Sequence, residues 1–257
     1  MSFRTLAAAA LLAGSMTALP LAAHAQEDQT LTQKQQDAVK KMIHDYIMEN
    51  PSVIVEAFEA MREKEQLAIE TGAKKALTDR KAEVYNLKND AGSPVLGNPD
   101  GDVTIVEFFD YRCPYCKAVS DAVFDAVKAD GKVRLVMKEL PVLGPDSVLA
   151  SRAALAARGQ KKYAEFHRAL MHSKGQINEQ AIYKIAADTG LNVEKLKKDM
   201  EDDQVDKVIK DNLDLARALN VTGTPGFIIG DQVVPGAVSP QALKQLIDQA
   251  RKPTKAN

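Results

Sequence analysis

Nine consecutive residues constrain this chain more than any others: Phe108-Phe109-Asp110-Tyr111-Arg112-Cys113-Pro114-Tyr115-Cys116. They hold both of its cysteines. Upstream, Val103 to Phe109 is apolar and β-branched enough for a buried strand. Downstream, Val119, Val123, Ala126 and Val127 recur at helical spacing, and Gly131 supplies a stop. The dithiol therefore belongs at a strand-to-helix junction. Cys113 falls at the N-cap, with Pro114 at the first helical position, where its missing N–H costs nothing. Free N–H groups and the positive end of the helix dipole favour an anion in that first turn, so a thiolate is expected at Cys113. Cys116 lies about one turn further on, close enough to close a disulfide. The redox-active pair Cys113–Cys116 can take up or release two electrons without any other cofactor.

Blander uses of two cysteines fit less well. Zinc usually takes four ligands, and no second pair exists. Of the four histidines, His24, His44, His167 and His172, none is near the motif in sequence; no metal site is expected. An inert structural disulfide across so short a loop would remove little entropy from the unfolded chain. The pair reads as a reactive dithiol.

The chain opens with a short, positively charged stretch, an alanine- and leucine-rich core over Leu6–Leu12, and Ala23-His24-Ala25 as a cleavage signature. Residues 1–25 are expected to be a cleaved secretory signal peptide, its apolar run being too short for a membrane span. The expected destination is the bacterial periplasm, where a cysteine pair is free to oxidise. Basic and acidic residues nearly cancel, at 34 against 35, so no polyanion partner, and no nucleic acid, is expected.

Residues 26–90 read as a helical arm and linker. Thr32 to Glu49 carries a narrow apolar stripe of Val39, Met42, Ile43, Tyr46 and Ile47. Asn50-Pro51-Ser52 interrupts it, since a residue before proline is pushed out of helical geometry. A second helix follows with Ile54, Ala57, Phe58, Met61 and Ala68 on one face; Gly72 weakens the pattern before Ala73, Ala76 and Leu77 resume it. Lys88 to Ser93 is polar. Either the arm folds back on the catalytic domain or its stripe packs against copies of itself as a coiled-coil seam does; self-association is the preferred expectation.

Residues 91–257 read as the catalytic domain. Glu107 is an acid inside an apolar strand, where an unpaired charge is costly. Either an edge lets it reach solvent, or it is a buried carboxylate with a raised pKa that trades protons with the Cys116 thiol. Val133 to Lys138 is a second strand, parallel to the first because a helix connects them, and Lys138 could pair with Glu107. Helical patterns then run on without a strand, giving an insertion over about 145–205. Strand signals return from Val221 to Ile229, with Gly230-Asp231 as a hairpin turn and Gln232 to Val234 as its return. Ser239-Pro240 begins a last helix.

Cys113-Pro114-Tyr115-Cys116 after Glu107-Phe108-Phe109, with Thr224-Pro225 before a hairpin and a helical insert between, resembles the DsbA family. The fold implied is α/β: a thioredoxin fold with an inserted helical domain and an N-terminal helical oligomerisation arm. Chains with such an arm are similar to ScsC, the suppressor-of-copper-sensitivity type, and to trimeric DsbA-like isomerases. The resemblance implies that Cys113 attacks and Cys116 resolves. It implies that Pro225 is the cis-proline beside which substrate backbone pairs, and that Thr224 before it influences substrate release. It also implies a buried acid–lysine pair at Glu107 and Lys138. Where the family's founding oxidase has histidine between its cysteines, this chain has Tyr115, which should make it a weaker oxidant.

The function expected is a periplasmic thiol–disulfide oxidoreductase working as a disulfide isomerase, trimeric through its arm. It would act on disulfide-containing proteins and be kept reduced by a membrane-bound reductase. The alternatives are a monomeric oxidase served by a membrane oxidant, and a copper-tolerance protein binding Cu(I) through the two soft sulfurs.

Overall fold

The computed structural model describes residues 31–86 and 92–252, so the signal-peptide expectation and most of the linker lie outside the described residues. The described chain forms two compact units, divided between Glu59 and Ala60. Among the described residues, no helix is long and apolar enough to cross a membrane.

In the first unit, helix α1 (Gln33–Glu49) begins at a capping box: Thr32 accepts from the backbone of Gln35, and the Gln35 side chain returns to the Thr32 N–H. It ends where expected, before Pro51. Helix α2 (Ser52–Asp79) contributes to both units and runs unbroken through Gly72. A glycine in a helix interior costs about 1 kcal/mol, too little to break a helix whose flanks are alanine, lysine and leucine.

The second unit is built on a five-stranded sheet in the order β1-β3-β2-β4-β5. Strands β2 (Val103–Phe109) and β3 (Val133–Glu139) run parallel, connected by helix α4 (Pro114–Asp130). Strand β1 (Val95–Gly97) pairs antiparallel with β3; β4 (Gly226–Ile229) and β5 (Gln232–Pro235) add an antiparallel hairpin beside β2. Alternate residues of β2 face opposite ways, and both faces are covered, which is why its sequence is almost continuously apolar. Val103, Ile105 and Phe109 share a core with Val119, Val123 and Val127 of α4 and with Leu243 and Ile247 of the last helix, α10 (Pro240–Ala250). Val106 and Phe108 look the other way, onto Leu77 of α2, Val84 of the short helix α3 (Lys81–Val84), Tyr85, and Leu215 and Leu219. Burying each such side chain contributes roughly 1.5–3 kcal/mol. Through that second core the end of the arm, from Ala76 to Tyr85, packs on the catalytic sheet.

Between β3 and β4 lie α5 (Pro145–Ala156), a 3-10 turn, α6 (Tyr163–His172), α7 (Glu179–Asp188), α8 (Val193–Asp199) and α9 (Asp203–Ala218). The expected boundary near 205 falls inside α9. Its first half, with Val205, Val208 and Ile209, packs on Leu155 of α5, while Leu215 and Ala216 reach the sheet. The strand expected from Val221 begins only at Gly226. Residues 221–225 form a loop ending in a cis Thr224–Pro225 bond, and Gly226 is pressed so closely on this loop that a Cβ would meet Val221 Cγ1 at 2.7 Å.

Candidate active site

The dithiol sits where β2 hands over to α4. Cys113 is the N-cap of α4 in extended geometry, and its sulfur accepts from the Cys116 N–H at 3.4 Å. Pro114 occupies the first helical position, and Gly131 ends the helix in the left-handed conformation. The Cys113 N–H donates to the carbonyl of Asp110 at 3.1 Å. Both cysteines are free thiols and buried, whereas Tyr115 between them is 67% exposed. The cis-proline loop comes from the far end of the sequence to meet them: the Cys113 thiol donates to the Thr224 carbonyl at 3.2 Å. The sheet register, with Gly226 opposite Phe108, brings the Thr224 carbonyl to the dithiol, and the Thr224–Pro225 bond beside it is cis.

Glu107 is buried on the Cys116 side of the sheet, and burial raises its pKa to about 8. The thiol of Cys116 is pushed well up, first by burial; a backbone hydrogen bond at Asp110 opposes this, and Cys113 and Glu107 add to it. An acid that is half-ionised near pH 8 beside a reluctant thiol can exchange a proton with it.

The expected Glu107–Lys138 pair does not form. Parallel pairing sets Glu107 opposite Met137 and Phe108 opposite Lys138, so the acid and the lysine project from opposite faces of the sheet. Lys138 instead donates to the carbonyl of Glu83 at 3.0 Å, one of the carbonyls at the end of α3. Arg134, four residues earlier on the same face, donates to the carbonyls of Tyr85 and Asn86. These two cations fasten the end of the arm to the sheet and do not reach the dithiol's side of it.

Two carboxylates escaped the sequence reading. Asp110 Oδ1 accepts from the Arg112 N–H at 2.7 Å and from Ser147 Oγ at 2.8 Å. Its Oδ2 accepts from the N–H groups of Val142 and Leu143 at 2.9 and 3.0 Å. It therefore ties the dithiol loop to the turn leaving β3, where Arg112 also donates to the Leu143 carbonyl. Glu139 is buried at the end of β3 among Tyr111, Tyr163 and Ser151. The available signal was alike for both: an acid at the end of an apolar strand.

Among the described residues, no group of three His, Cys, Asp or Glu side chains is placed to hold a metal ion. What the site does hold is one sulfur facing a backbone carbonyl and another poised behind it. Such sulfurs exchange with other sulfurs, and the class this defines is the thiol–disulfide oxidoreductase on a thioredoxin fold. The family model described as Thioredoxin matches residues 88–249, and that described as the copper resistance protein ScsC N-terminal domain matches residues 35–68. A thioredoxin-like oxidoreductase from Silicibacter pomeroyi is 47% identical over 67% of this chain and 98% of its own, with a TM-score of 0.65. A linker-deletion mutant of Proteus mirabilis ScsC is 30% identical over 87% of this chain and 98% of its own, also at 0.65. Disulfide bond formation protein D of Bacillus subtilis is 25% identical over 63% of this chain and 78% of its own. The match to the Na(+)/H(+) antiporter NhaA 1 of Salinispora arenicola spans only 24% of that relative's length. The chain belongs to the thioredoxin family, in its DsbA- and ScsC-like branch.

Proposed function

We propose that the protein is a periplasmic disulfide isomerase whose N-terminal arm joins three copies. The observation that carries this reading is α1, whose residues are all unburied, with Met42, Ile43 and Tyr46 each more than half exposed on a segment matching the ScsC N-terminal domain. An apolar stripe left open in its own chain is suited to a second copy. Tyr115 between the cysteines and Thr224 before the proline weigh toward a weaker oxidant.

The exchange conserves sulfur and electrons at every step. Cys113, as thiolate, attacks one sulfur of a substrate disulfide; a Cys113–substrate bond forms and the other substrate sulfur leaves as thiolate. A different substrate thiolate then attacks the mixed disulfide, leaving a new pairing and free Cys113, with no net oxidation. Where no substrate thiol arrives, Cys116 gives its proton to Glu107 in its carboxylate form and attacks Cys113 Sγ, releasing the substrate sulfur as thiolate and closing Cys113–Cys116. A membrane reductase returns two electrons and two protons. Three tethered sites raise the effective concentration around one misfolded chain.

The test removes residues 26–59 and leaves the part of the arm that packs on the sheet. Loss of refolding of a scrambled disulfide protein is expected, with insulin reduction retained and the mass by light scattering falling from three chains to one. Undiminished isomerase activity in a monomer would reject the reading. The competing reading, a dithiol oxidase like the disulfide bond formation proteins it resembles, requires a strongly oxidising couple in a glutathione titration.

A further inference from the structure

A second buried polar constellation lies where β3 ends. Glu139 is fully buried and is the register partner of Phe109, the last strand residue before the dithiol loop. Its Oε1 accepts from the Tyr163 hydroxyl at 3.0 Å and the Tyr111 hydroxyl at 3.3 Å, and its Oε2 from Ser151 Oγ at 3.0 Å. Its backbone carbonyl accepts from Asn212 Nδ2 at 3.2 Å. The Tyr111 hydroxyl also lies 2.9 Å from His167 Nδ1, and Phe109 meets both rings edge-on. Ser151 comes from α5, Tyr163 and His167 from α6, and Asn212 from α9, while Tyr111 belongs to the loop itself. One residue therefore ties three helices to the segment that leads into Cys113.

A hydroxyl has a single proton, and this gives the cluster two arrangements. With Glu139 charged, Tyr111 donates to Oε1, and its oxygen accepts from the Nδ1–H of His167. With Glu139 protonated on Oε1, the acid donates to Tyr111, whose hydroxyl keeps its proton and donates it in a hydrogen bond to His167 Nδ1; the ring then accepts at Nδ1, having given up that hydrogen, and carries one on Nε2 instead. The ring is neutral in both, because burial lowers its pKa to about 3, with Arg168 and His172 adding to the effect. Burial raises the Glu139 carboxyl to about 8 against the hydrogen bonds from Tyr163, Ser151 and Tyr111, and Asp110 adds to the rise. The charged or titratable groups facing the cluster are Asp110 and Tyr111 of the loop, Tyr163 and His167 of α6, Glu107 of β2, whose charge acts on Tyr163, and Arg168 and His172 of α6, whose charges act on His167.

The loop segment so held is the one that holds the sulfurs. The Asp110 carbonyl receives the Cys113 N–H, and a backbone hydrogen bond at Asp110 acts on the Cys116 thiol. We propose that Glu139 is a positioning residue for the dithiol: through Tyr111 it fixes the backbone against which both cysteines rest, and its protonation sets the poise of the pair. This rests on dithiol exchange and is independent of the isomerase assignment, since its test uses neither a protein substrate nor the oligomer.

The full-length protein and its Glu139→Gln and Tyr111→Phe variants are compared by nitrogen-15 NMR of His167 and by equilibration with glutathione across roughly pH 5 to pH 10. In the parent, His167 is expected to exchange tautomers with a midpoint near that of Glu139; in Glu139→Gln it stays in one tautomer throughout. Above that midpoint, Glu139→Gln should shift the glutathione equilibrium constant about tenfold, or ~30 mV, and below it the variant should converge on the parent. Tyr111→Phe keeps the ring and removes the link, so it should abolish the pH dependence of the His167 tautomer, and it carries the test if Glu139→Gln does not fold. A pH-independent tautomer in the parent, or a glutathione equilibrium in Tyr111→Phe that tracks the parent at every pH, overturns the proposal.

Discussion

Helices α1 and α4 are both 17 residues long and amphipathic, and both are capped by their own sequence. They end up in opposite circumstances. Helix α4 buries Cys116, Val119, Ser120, Val123 and Val127, while α1 buries nothing. The difference teaches that an apolar stripe is only half of an instruction. For α4 the other half is the strand preceding it and the strand following it. For α1 it is not among the described residues of the chain. The caps differ in the same way: the Thr32 hydroxyl closes a helix end, whereas at Cys113 the group that closes the end is also the one that reacts.

The sharpest way to break that comparison is to keep the cap and remove the chemistry. Serine is a better N-cap than most residues, so Cys113→Ser should preserve α4 and hold or raise the thermal midpoint. Thiol–disulfide exchange should nevertheless fall to background in an insulin reduction assay. Residual turnover in this variant would mean that another group attacks and that the cap is merely structural.

Helix α4 also packs over a buried acid, Glu107. The folded-state pKa of Glu107, about 8, stands above its ordinary value near 4.5, so the native state holds a proton that the unfolded state has lost. Its contribution is fully present below about pH 4.5 and is lost as pH rises through about pH 8. Glu107→Gln should therefore match the parent in urea unfolding near pH 4 and exceed it at pH 9, by on the order of 1–3 kcal/mol. Glu139 titrates with the same sign, so the slope should shrink without vanishing. Equal pH profiles in the two proteins would show that Glu107 is solvated.

How much of this could be read from residue order follows from the range of the forces involved. The β2–α4 junction, its cap, the proline at the first helical position and the glycine stop are local, and they stand where the sequence put them. The hairpin at Gly230-Asp231 is equally local. The Glu107–Lys138 pairing failed because it depended on register: the two strands pair so that neighbours in the sheet are 107 with 137 and 108 with 138, a shift no single strand encodes. Asp110 and Glu139 were passed over because their partners lie far off in sequence, at Val142 and Ser147 for one and at Tyr163 and Ser151 for the other. Gly72, which weakens the helical pattern in the sequence, leaves α2 continuous, because its local preference is outweighed by the rest of the helix.

The mildest test sets one aliphatic truncation against another. Val123 is buried against the sheet core, and Val123→Ala should cost ~2 kcal/mol in denaturant unfolding through lost burial and the cavity left behind. Ile43 is 55% exposed on α1. In dilute solution, Ile43→Ala should change the unfolding free energy by no more than about 0.5 kcal/mol, its helix propensity being if anything better. The loss should appear elsewhere, as a lower mass at a given concentration in sedimentation equilibrium, because in the proposed assembly the side chain is buried between chains. If Ile43→Ala instead destabilised dilute protein as Val123→Ala does, α1 would be covered within its own chain, and the contrast between the helices would collapse. If it changed neither unfolding nor mass, the stripe would be no seam, and the joining surface would have to be sought on α2.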